Sequence, residues 1–168
     1  MKTLLIAAIF ATDTLHERSK EERTLFESIN KYRAEYSLPP LQYCDSLSYI
    51  AHLHSMDIYF HQKFDDKTCS MHSWSPSRFW KGGCVNGQEN ADIMWDKPKE
   101  LLGMQVDGFE IAHMHDPRDI PCDAKCSLDN WKSSAPHNHL IIERGWRRWK
   151  RMGVSIYKGV ATVWFARE

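Results

Sequence analysis

Residues 152–165 constrain the fold most. Apolar side chains alternate with small or polar ones along 152–157 and again along 160–165, with Lys158-Gly159 between. That is the pattern of two strands joined by a two-residue turn. A lone hairpin is marginal in water unless its apolar face is covered, so other segments must supply the cover. Two helices near the opposite end can do so. Leu25, Ile29, Tyr32 and Tyr36 recur at helical spacing over 20–36, and Pro39-Pro40 ends that segment. Asp45 is placed to cap a second helix, 46–61, whose Leu47, Ile50, Ala51, His54 and Ile58 share a face. GFEIAHM, 108–114, reads as a further strand, and Pro98 can start a short helix through KELLGM. Residues 123–134 read as a helix with Leu128 and Trp131 inward and Pro136 just past its end. Between 64 and 90 periodicity is lost, and two cysteines fifteen apart mark a long, stapled or functional loop. Strands flanked by helices from both ends of the chain give a layered α+β domain.

A chain of 168 residues suits one core and one domain. Lys+Arg and Asp+Glu both total 22, so no overall field favours nucleic acid, and any polyanion site must be local. A mean hydropathy of -0.55 fits a chain without a transmembrane span. Lys2 precedes a short apolar run ending at Ala11, followed at once by charged residues. We read residues 1–19 as a secretory signal peptide and leader and 20–168 as the domain, the other reading being a terminal strand or helix of the mature fold. The expected location is secreted or extracellular, or periplasmic in a bacterium. Five cysteines fit that setting. Pairing Cys69 with Cys84 and Cys122 with Cys126 leaves Cys44 free, although spacing does not fix connectivity. A zinc knot is the rival, but no second C-x2-C accompanies the C-x3-C at Cys122.

Nine histidines form three His-x-His pairs. His52 and His54 lie on one helix, where positions two apart diverge, so His54 is expected as a packed core residue. His113 and His115 would share a face in a strand, but HMHDPRDIP reads better as a solvated loop. His137 and His139 follow Trp131, Ser133, Ser134 and Pro136 in WKSSAPHNHLII. A serine nucleophile paired with His137 lacks a strained elbow, an oxyanion donor and an orienting acid, so helix-end capping is the expected role of Ser133 and Ser134.

The order INKYRAEYSLPPLQYCDSLSYIAHLHSMD, HSWS, GFEIA, LDNWKSSAPHNHLII and MGVSIYKGVATVWFARE resembles the CAP superfamily of cysteine-rich secretory, antigen 5 and pathogenesis-related proteins. It is most similar to the bacterial SCP-like branch, over about residues 22–166. The resemblance implies a three-layer α-β-α sandwich with a C-terminal hairpin and an open cleft lined by two histidines and usually two glutamates. By motif the histidines are His72 and His137. The acidic position falls on Glu110, with Glu89 second, and Ser134 stands where many relatives carry the other glutamate. The implied metal ligands are His72, His137 and Glu110, for zinc or another divalent cation.

Function is expected to be that of a secreted, non-catalytic binding module with a small lipid or a protein as partner. One alternative is a metal-dependent hydrolase using the same cleft, although the chain has no H-E-x-x-H. The other is peripheral binding of anionic lipid or glycan through Arg144, Arg147, Arg148, Lys150 and Arg151, which surround Trp146 and Trp149. The competing reading buries both tryptophans beneath the sheet with the cations turned outward.

Overall fold

A computed structural model describes residues 17–61, 68–115, 123–143 and 148–167. Most of the expected leader, together with Cys122, Arg144, Trp146 and Arg147, lies outside the described residues. Among the described residues six helices and four strands follow in the order α1 Lys20–Glu35, β1 Gln42–Tyr43, α2 Asp45–His61, α3 Asp92–Trp95, α4 Lys97–Leu102, β2 Phe109–Met114, α5 Ala124–Ser133, α6 Ala135–Ile141, β3 Arg151–Tyr157 and β4 Val160–Ala166. The strands make one sheet in the order β1-β3-β4-β2. The expected hairpin forms in register, Tyr157 opposite Val160, and β2 adds antiparallel to β4 with Glu110 opposite Trp164.

Strand alternation divides the core into layers. Ile111, Val163 and Phe165 face α1, α5 and α6 with Leu25, Ile29, Trp131 and Ile141. Trp164 and Ala166 face α2 with Leu47, Ile50 and Ala51. This is the α-β-α sandwich expected from the family resemblance. Gly153 is required where α2 crosses β3, because a Cβ there would stand 2.2 Å from the backbone of Leu47 and Ser48. A glycine inside a strand pattern marks such a close approach.

Two expectations are corrected. Pro136 does not end the helical run; Ser134 breaks it with an extended ψ of 112°, and Pro136 sits in the first turn of α6, where the missing N–H costs nothing. His113 belongs to β2 rather than to a loop. β1, two residues long and parallel to β3, is too short to leave a periodic signal.

Because β1 is so short, most of the outer edge of β3 needs other partners. Ser48 Oγ accepts from Val154 N at 3.0 Å, and Glu22 Oε1 accepts from Ile156 N at 3.0 Å. The other oxygen of Glu22 accepts from Ser19 N at 2.7 Å, completing a capping box with the Ser19 side chain. One buried carboxylate thus caps α1 and ties it to the sheet. Glu22→Ala leaves two N–H groups without their acceptor, so it should lower the unfolding free energy by about 2–4 kcal/mol. An unchanged denaturation midpoint would contradict this role.

Candidate functional site

Two buried polar side chains on the core side of α2, His54 and Asp57, position the loop that follows the helix. Asp57 accepts from Ser75 N at 2.9 Å and from the Ser75 hydroxyl. His54 contacts the Ser73 carbonyl through Nε2 at 2.9 Å and stacks on Trp74, centroids 4.1 Å apart and planes 4° apart. Lys97 Nζ lies 4.8 Å from the centre of the Trp74 ring. The disulfide expected between Cys69 and Cys84 closes the same loop, which also pairs Trp74 with Gly83. Cys44 is free and buried, as expected. Cys126 is disulfide-bonded, its expected partner Cys122 being outside the described residues.

His72 enters the site from this loop. Glu110 reaches it from β2, an edge strand, on the face turned toward α2. Glu110 Oε1 lies 2.6 Å from His54 Nδ1, and Oε2 lies 2.9 Å from His72 Nδ1. The ring nitrogens of His54 thus face a carboxyl and a carbonyl oxygen, and with Glu110 ionised both carry protons. His54 is a buried imidazolium paired with the Glu110 carboxylate. His72 donates Nδ1–H to the other carboxylate oxygen. The His72 side chain is 23% exposed, whereas those of His54 and Glu110 are 0% exposed.

Electrostatics agree with this protonation. Burial alone would raise the Glu110 carboxyl pKa, but the charge and hydrogen bond of His54, then those of His72, hold it at about 2. Burial disfavours charge on His54 too, yet the Glu110 charge and bond and the Ser73 carbonyl overcome it and raise the pKa.

His137, on α6, belongs to the opposite helical layer. Burial and then the charges of His72 and His113 lower its pKa, while Glu110 opposes them, so His137 lies within the field of this group. Its Nδ1 is buried without a hydrogen-bond partner. His113 and His115 have ring centres 6.4 Å apart, and burial followed by the His115 charge lowers the His113 pKa. Ser134, half-buried, separates α5 from α6. Ser133 donates to Asn130 O at 2.7 Å, a helix-end contact, and His139 is exposed. Glu89, the second acidic candidate, is exposed in a turn closed by reciprocal backbone bonds with Asn86. Sequence reasoning placed His54 in the core but missed its tie to Glu110. The available signal was the ionisable pair His54 and Asp57 on the buried face of α2, since buried polar groups need partners.

The residues fit a resident metal poorly. Glu110 is enclosed between two imidazoles with no exposed surface. Among the described residues no three His, Cys, Asp or Glu side chains form a group able to hold a metal ion. His72 and His137 alone fall short of the three protein ligands usual for catalytic zinc.

The His54–Glu110 pair fixes a pH dependence. The depressed pKa of Glu110 contributes stability above its ordinary 4.5 that is lost as pH falls toward 2. The raised pKa of His54 contributes stability that is complete below its ordinary 6.5 and lost as pH rises through the folded value. The difference in unfolding free energy between wild type and Glu110→Gln should therefore be largest between pH 4.5 and 6.5. A difference independent of pH would contradict the ion pair.

A model of the cysteine-rich secretory protein family matches residues 26–164. No curated protein matches the sequence significantly. An extracellular SCP-domain protein from Bacillus anthracis superposes with a TM-score of 0.59 at 17% identity, over 88% of this chain and 40% of that one. A cysteine-rich secretory protein from Staphylococcus aureus gives 0.59 at 12% identity, over 91% of this chain and 42% of that one. An outer surface protein from Borrelia burgdorferi gives 0.57 at 12% identity, over 91% and 96%. The chain thus spans about two fifths of the first two proteins, and at these identities the likeness concerns the fold. With the matched segment covering most of its length, the chain belongs to the cysteine-rich secretory protein family.

Proposed function

We propose that the protein is a secreted, non-catalytic binding module whose cleft, between the His72 loop and α6, receives a small lipid or a protein segment. One observation carries this reading: Glu110 is buried and held between His54 and His72. A hydrolase of the metal-dependent kind needs a third ligand or an accessible carboxylate base beside its water. Glu110 serves instead to fix the His72 ring, leaving imidazoles as the polar groups of the cleft. A cavity of about 320 Å³ on the same loop, lined by His61, Ser73, Trp74, Ser75, Pro76 and the Cys69–Cys84 disulfide but by neither His72 nor His137, has the size of a small-ligand site. Secretion is supported by the disulfide and by the extracellular and outer-surface descriptions of two similar proteins.

The peripheral-binding alternative at 144–151 has less support. Trp149 is buried, donating Nε1–H to Leu140 O at 2.8 Å, while Arg148, Lys150 and Arg151 are exposed, as a packed tryptophan flanked by solvated cations would be.

Mass spectrometry and metal analysis of the protein purified from culture medium should find an organic species retained by wild type and lost from His72→Ala and His137→Ala, with zinc well below one per chain. Peptide hydrolysis should be absent with and without added zinc. One zinc per chain together with hydrolysis abolished by His137→Ala would establish the enzyme reading instead.

A further inference from the structure

Asn86-Gly87 lies in an exposed turn shortly after the disulfide-bonded Cys84. Asn86 and Glu89 exchange backbone hydrogen bonds of 3.2 and 3.0 Å across Gly87 and Gln88. Gly87 takes a φ of 60°, a left-handed conformation that glycine adopts at no steric cost. A Cβ on Gly87 would meet nothing within 4 Å, so the space beside its backbone is open. Among the described residues nothing accepts from Gly87 N, and the Asn86 side-chain amide makes no hydrogen bond.

The other asparagines of the chain differ. Asn30, Asn130 and Asn138 lie inside α1, α5 and α6, where the N–H of the following residue is committed to the helix. Asn30 is also tied to both backbone groups of Leu41, and Asn138 accepts from the Tyr32 hydroxyl. Asn90 donates to Cys84 O at 3.0 Å. It precedes Ala91, whose Cβ crowds its own nitrogen and whose N–H donates to Gln88 O. Asn86 alone joins a free amide to a following glycine with an uncommitted N–H.

We propose that Asn86 is a site of spontaneous covalent modification, converting to isoaspartate and aspartate through a cyclic imide formed with Gly87. Asparagine is among the thermolabile residues, and here both reacting groups are accessible. Gly87 N loses its proton to water and attacks Asn86 Cγ; the N–Cγ bond forms, the Cγ–Nδ2 bond breaks, and ammonia leaves. Water then opens the imide. Addition at Cγ restores the chain with aspartate, whereas addition at the main-chain carbonyl carbon leaves the chain running through the former side chain, as isoaspartate. Rotation of the Asn86–Gly87 peptide must first release Glu89 N. That bridge consists of two hydrogen bonds between exposed residues, and such segments open locally at little cost. Either product places a new carboxylate near the exposed Glu89. The preceding residue, Val85, is buried, accepts from Ser70 N at 2.8 Å and donates to Ser73 Oγ at 2.9 Å, so the modification acts on the loop that carries His72. The site lies outside the cleft and does not rest on the function proposed for it.

Incubation of the full chain, disulfides intact, at mildly alkaline pH tests the proposal, read by peptide mapping with mass spectrometric fragmentation that separates isoaspartate from aspartate. Isoaspartate at position 86 should be the larger product, forming at a rate within about tenfold of that in the urea-denatured chain. Asn30, Asn90, Asn130 and Asn138 should stay intact over the same period. Asn86→Gln, which would have to close a larger ring, should abolish the reaction and leave the denaturation midpoint at the wild-type value, since the side chain is exposed. An intact Asn86 in the folded protein once the denatured chain has converted would overturn the proposal. Aspartate without isoaspartate would overturn it as well, because direct hydrolysis of the amide makes no use of Gly87 N.

Discussion

The site depends on a buried proton. His54 lies between a carboxylate and a carbonyl, 2.6 and 2.9 Å from its two ring nitrogens, and only the doubly protonated ring satisfies both acceptors. An isolated buried charge is costly, and a buried ion pair is tolerated when its remaining hydrogen-bonding positions are filled. Here the second Glu110 oxygen meets His72, and the His54 ring is stacked on Trp74. Removing the proton would leave an acceptor facing an acceptor inside the core, so folding and charge state are linked.

That pair joins three parts of the chain. α2 contributes His54, β2 contributes Glu110, and the disulfide-closed loop contributes the Ser73 carbonyl, Trp74 and His72. The loop is therefore held from below by α2 as well as stapled at its base. His72 is oriented as a consequence, its Nδ1 fixed on Glu110. Ser134, half-buried where α6 begins, adds no carboxylate there. The carboxylate nearest His72 is already neutralised by His54.

Periodicity made much of the scaffold legible. The hairpin, the two N-terminal helices and β2 could be read because each repeats apolar residues at strand or helix spacing. β1 could not, since two residues do not define a period, and its pairing with β3 joins positions 42 and 151. Pro136 was ambiguous because proline ends one helix and starts another by the same chemistry. The Asp116-Pro117 sequence obscured the fact that His113 still belongs to the strand. Composition and spacing left His72 and His137 as scattered residues, and the family resemblance alone selected them. The link between His54 and Glu110 spans 56 positions, and no local pattern encodes such a contact.

Nitrogen-15 NMR of the imidazole rings is the most direct measurement of the central claim. At neutral pH both His54 nitrogens should give the shifts of an imidazolium. A neutral His54 ring at that pH, with one nitrogen bare, would mean that Glu110 is not held as a paired carboxylate, and the description of the site would fail.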